Sequence, residues 1–136
     1  MAFKVVSFFL RRWVILASLC VVTPVGFAFK FYDGPGCGWF NDYGAGVVYE
    51  IFWCLVFFLI WLRRENISRI AVWVLAVTCS LEVMQLWQPP FLQSVRSTFV
   101  GSSLLGTTFV WWDFPHYVLG SGIGWLWMRA ALGKAD

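Results

Sequence analysis

The sequence predicts an all-α membrane protein: a bundle of four transmembrane helices with an interfacial or re-entrant segment between the third and fourth. Three observations lead there. The chain of 136 residues is 60% hydrophobic and only 12% charged, about half the charged share of an ordinary soluble domain. Its apolar residues fall into four segments, at about 13–29, 47–62, 67–88 and 112–128, each near the length that crosses a bilayer at about 1.5 Å per residue. Its cations collect on one side of those segments: Lys4, Arg11, Arg12, Arg63, Arg64, Arg69, Arg129 and Lys134, against Lys30 and Arg96. This positive-inside pattern assigns both termini and the turn R-R-E-N to the cytoplasmic face. Residues 1–136 therefore read as one integral-membrane domain.

The first segment follows M-A-F-K-V-V-S-F-F-L-R-R, basic residues ahead of an apolar run, as in a signal peptide. Gly26 and Ala28 make only a weak cleavage site, so the expectation is an uncleaved first span. F-Y-D-G-P-G-C-G-W-F-N-D-Y-G-A-G reads as an outer loop, and R-R-E-N as the cytoplasmic turn between the second and third spans. The third connection, from Pro89 to Trp111, is too apolar for a solvated loop, and its Gly, Ser and Thr residues permit close packing or re-entry. Trp87, Trp111 and Trp112 stand where an aromatic belt would anchor the helix ends. The fourth segment is short, at about 17 residues, and rich in glycine.

The third span carries an unexpected polar stripe. As a helix, it aligns Thr78, Cys79, Glu82 and Gln85 at spacings of three and four against Val, Leu and Trp. Glu82 lies about 9 Å inside the outer end of its span, six residues at about 1.5 Å each. An ionised carboxylate facing lipid costs on the order of 3 kcal/mol at a helix centre, so Glu82 should point into the bundle and find partners. Arg96 from the third connection, and Asp113 and His116 from the start of the fourth span, arrive at the same level. Asp113, His116, Tyr117, Gly120 and Gly124 share one face of that span, and Gly120 and Gly124 allow a neighbouring helix to approach closely.

Several chemistries are excluded or weak. The net charge of +3 is spread in pairs beside apolar runs, with no basic stripe for nucleic acid. Cys20, Cys37, Cys54 and Cys79 show no C-x-x-C spacing, and His116 is the sole histidine, so no zinc site is expected. A pigment or haem held through one axial ligand is compatible with His116, but the sequence names no cofactor. G-S-S-L-L-G-T-T lacks the lysine and strand of a phosphate loop, and no G-x-S-x-G surrounds Ser102 or Ser103. No catalytic residue is assigned.

Glu82-x-x-Gln85, followed by Arg96-x-Thr98, Gly101, Gly106, Phe109, Asp113, Tyr117 and Gly120, resembles a family of bacterial integral-membrane proteins known as domain of unknown function 2809. The likeness covers about residues 42–124. More distantly, the chain is similar to VanZ-like membrane proteins, which share an E-x-x-Q and a later Arg and Asp. Where the family usually shows Gly-Asp ahead of its second span, this chain has Gly46 and Val47, with Glu50 one turn later. The resemblance implies a bacterial inner membrane, and it implies that Glu82, Gln85, Arg96 and Asp113 form one cluster.

Two functional expectations follow. In the first, the outer-leaflet cluster binds a lipid-like or cell-envelope amphiphile, with Arg96 meeting an anionic head group and Glu82 and Asp113 orienting it. In the second, the chain is an accessory subunit of a larger respiratory, photosynthetic or transport complex, docking on other membrane subunits through its aromatic and glycine faces. Beside both stands a structural reading, in which the cluster only clamps the helices together.

Overall fold

The computed structural model describes residues 2–133, with side chains from Ser7 onward. Lys134 and the side chain of Lys4, both counted among the cytoplasmic cations, lie outside the described residues. Those residues form helices and turns without a strand. The helices are α1 (Ala2–Lys30), α2 (Cys37–Ile60), α3 (Ile67–Met84), α4 (Pro90–Arg96), α5 (Phe99–Leu105) and α6 (Asp113–Leu132). Among the described residues three helical stretches are long and apolar enough to cross a membrane: Ser7–Lys30, Cys37–Ile60 and Arg64–Met84. Helix α6 matches them in length, at 20 residues, but its polar first turn, Ser121 and glycines make it less apolar.

The elements begin and end differently from the sequence expectation, for local reasons. Helix α2 starts at Cys37, ten residues before the expected 47, and contains a π turn at Phe40–Gly44. The Gly, Asp and Asn residues that signal a loop are overridden there by tertiary contacts. Asn41 Nδ2 donates to the carbonyls of Phe29 (2.7 Å) and Tyr32 (2.9 Å), which satisfies acceptors at the end of α1. The Phe40 ring packs edge-on against Phe29 and Tyr32. Helix α3 ends at Met84 rather than 88, because Pro89 and Pro90 disfavour helix in the residues before them and offer no N–H to extend it. The third connection contains the two short helices α4 and α5.

Helices α2 and α6 pack along their length as the spine, with α1 against α2 and α3 against both. The core between them is apolar: Ile15, Val48, Ile51, Leu55, Phe58, Ile70, Val74 and Met128 are buried. In a bilayer such contacts gain little from leaving water, so close packing and hydrogen bonds between helices carry the association. Both are present. A Cβ on Gly120 would stand 2.7 Å from the Val47 carbonyl oxygen and the Glu50 Cβ, and one on Gly124 would stand 2.9 Å from the Cys54 Cβ. The absence of side chains at these two positions sets how near α6 lies to α2. Ser121 Oγ donates to the Ala71 carbonyl at 2.7 Å, Trp125 Nε1 to Ser68 Oγ at 3.0 Å, and Trp127 Nε1 to Ser18 Oγ at 3.0 Å, so α6 bonds to both α3 and α1.

Candidate functional site

Glu82 is the hub of a polar cluster at the end of α3. It is 1% exposed, on the inward face that its helical spacing predicts. Its Oε1 accepts from the Val110 backbone N–H at 2.8 Å, and its Oε2 accepts from Gln85 Nε2 and from the Tyr117 hydroxyl, each at 3.0 Å. The Asp113 side chain lies close to the same carboxyl group. One side chain thus joins its own helix, the strap between α5 and α6, and the start of α6.

The structure brings Glu82, Gln85 and Asp113 together and sets Arg96 to a different task. Arg96 is 6% exposed. Its two terminal nitrogens donate to the carbonyls of Trp87 (3.0 Å) and Met84 (3.1 Å), acceptors that α3 leaves open where it ends. A cation there also meets the negative end of the helix dipole. The one salt bridge among the described residues is Arg63–Glu65, on the surface. His116 lies apart from Glu82. Its Nδ1 donates to the Trp112 carbonyl at 2.7 Å, and its ring stacks on Tyr43 at 4.6 Å. Among the described residues no three His, Cys, Asp or Glu side chains gather in a way that could hold a metal ion.

Two features went unassigned in the sequence. The first is Glu50, fully buried on α2, whose Oε1 accepts from the Thr78 hydroxyl and whose Oε2 has no partner. Thr78 precedes Glu82 by one helical turn, so the stripe on α3 serves two buried acids. The signal was a lone acid within a long apolar run. The second feature is an apolar groove of about 670 Å³ between α2 and α3, within the range of small-molecule sites. Tyr49, Trp53, Phe57 and Trp61 form its α2 wall. They recur every fourth residue and neighbour one another in sequence order, with ring centroids 6.2, 5.9 and 6.1 Å apart. Ile70, Trp73, Val77 and Leu81 line the α3 wall.

The groove has chemically different ends. Asn66, Arg69 and Trp61 border one, and Tyr49, Leu81, Leu104 and Leu105 border the other. Tyr49 donates its hydroxyl to the Leu104 carbonyl at 2.9 Å, which fixes α5 to α2 at that end. The Glu82 cluster lies at the same end, since Leu81 precedes it in α3. Polar cluster and groove therefore share the connection between α3 and α6: Glu82 holds Val110, and Tyr49 holds Leu104.

Among curated proteins and among solved structures, none matches this chain. A family model described as "Protein of unknown function (DUF2809)" matches residues 36–121, a stretch that contains α3, α4, α5, the Glu82 cluster and the whole α2 wall of the groove, and the chain belongs to that family.

Proposed function

We propose that this protein is a four-span bacterial inner-membrane protein that binds a lipid-like amphiphile. The α2–α3 groove is its seat, and the outer-leaflet polar cluster holds the cover at one end. The groove carries the proposal: it is long, mostly apolar and walled by an aromatic ladder, and its one charged lining residue, Arg69, stands at one end. In this reading α6 is the fourth span. Two observations support that assignment. Its start bonds Glu82 at one end of the bundle, and at the other Arg64 donates to the Gly133 carbonyl just beyond its last turn. The paired arginines at this second end favour the cytoplasm, with both termini there. The α4–α5 connection then lies at the outer interface, and Glu82 and Arg96 secure it rather than bind a head group directly.

Purification in mild detergent, followed by mass spectrometry of the extracted lipids, tests the proposal. The expected result is one class of amphiphile enriched over the host membrane at about one molecule per chain. An extract whose composition equals that of the bulk membrane overturns it. Stoichiometric co-purification of other membrane proteins without such enrichment supports the accessory-subunit reading instead.

A further inference from the structure

We infer that the groove holds one acyl chain of an anionic phospholipid, with the phosphate at Arg69 and Asn66 and the chain running toward Leu104 and Leu105. The inference rests on the groove being an amphiphile seat, and adds the class of the occupant and its direction.

Among the residues that line the groove, charge is at one end only. Arg63, Arg64 and Arg69 flank the Asn66 end, but they are not equivalent. Arg63 pairs with Glu65, and Arg64 donates to the Gly133 carbonyl. Arg69, which lines the groove, has no hydrogen bond or ion pair among the described residues, and the Asn66 amide makes no bond to its helix end. A phosphate oxygen seated there would accept from a guanidinium fork and from the amide, a charge-assisted arrangement. At the other end the cation Arg96 is 6% exposed and both its terminal nitrogens donate to carbonyls, so a phosphate would have to displace those bonds and enter the protein to reach it.

The length selects the tail. From Arg69 to Leu81 is twelve residues of helix, about 18 Å at 1.5 Å each. Half of a typical hydrocarbon core is about 15 Å. A chain entering beside Arg69 thus passes the bilayer midplane before it reaches Leu104 and Leu105. The hydroxyl bond of Tyr49 to Leu104 keeps that border in place. A groove of this length takes one extended acyl chain and is shorter than a long polyisoprenoid. The walls suit it too: the rings of Trp53 and Phe57 on one side and the aliphatic Val77 and Leu81 on the other offer dispersion contacts to a hydrocarbon.

The full chain in nanodiscs of equimolar phosphatidylglycerol and phosphatidylcholine, released and weighed by native mass spectrometry, tests the inference. Retained phosphatidylglycerol should exceed phosphatidylcholine about fivefold, the effect of one arginine near a charged lipid. Arg69→Gln should bring the ratio close to one. Val77→Trp places an indole in the groove and should remove retained lipid of both kinds. Leu81→Phe serves the same purpose if the first variant does not fold. A ratio that Arg69→Gln leaves unchanged overturns the head-group assignment alone. Lipid retention that neither groove-filling variant lowers overturns the groove reading itself. If a polyisoprenyl phosphate offered in the same discs displaces phosphatidylglycerol, the acyl assignment is wrong.

Discussion

At the scale of single residues, the chain spends its few buried charges on backbone and on polar side chains. Glu82 accepts from Val110, Gln85 and Tyr117. Hydrogen bonds between helices in membranes contribute about 0.6–1.7 kcal/mol each, so Glu82→Ala should cost about 2–5 kcal/mol, read as a lowered unfolding midpoint in detergent. Glu82→Gln should retain only part of that stability, because a carboxamide keeps one accepting oxygen and turns its other end into a donor that faces either the Val110 N–H or the Gln85 amide and Tyr117 hydroxyl. Equal loss in both variants would show that the cluster needs both accepting oxygens. Arg96 makes a separate prediction. Replacing it by Met frees the Met84 and Trp87 carbonyls, and a helix-end cation contributes about 1–2 kcal/mol when partly buried. Amides around Gln85–Gln88 should then exchange hydrogen about tenfold faster. The sequence made Arg96 suspect by its charge, but paired it with acids, because side-chain charges are visible in a sequence and open carbonyls at a helix end are not.

At the scale of elements, what was legible depended on periodicity against background. Glu82 and Gln85 stand out because polar residues three apart are conspicuous in an apolar helix. Tyr49, Trp53, Phe57 and Trp61 have an equally regular spacing, yet in a chain that is 21% aromatic four rings do not stand out from the rest. The early start of α2 escaped for the opposite reason: its glycines and Asn41 carry turn chemistry, and only contact with Phe29 and Tyr32 turns them helical. The glycines of α6 show how far the pattern reaches. A Cβ on Gly120 would meet backbone of α2 at 2.7 Å, whereas a Cβ on Gly122 has nothing within 4 Å. Gly120→Ala should therefore cost about 1–3 kcal/mol through overpacking, and Gly122→Ala should be neutral or gain up to about 1 kcal/mol from helix propensity. Thermal unfolding of the two variants side by side checks the difference, and equal stability would mean that α6 does not rest on α2 as described.

At the scale of the whole molecule, function turns on which side each end of the groove faces. The proposed topology has the Arg63–Asn66 turn in the cytoplasm, and the bond from Arg64 to Gly133 brings the end of α6 to that same turn. If α6 spans the membrane, residues 65 and 133 share a side and residue 33 lies opposite. If it does not, residue 133 must leave Arg64 and appear with residue 33. In a chain whose four native cysteines are replaced by alanine, Glu65→Cys and Gly133→Cys should resist a membrane-impermeant maleimide applied to intact cells, and Asp33→Cys should react. Labelling of Gly133→Cys from outside would reduce the bundle to three spans and remove the Arg64 contact. Labelling of Glu65→Cys with protection of Asp33→Cys would invert the protein. Arg69 would then face the opposite leaflet, and the phospholipid would have to enter the groove from there. The groove's chemistry would be unchanged, because its cation and its apolar border are fixed by α3 and α5 and not by the membrane.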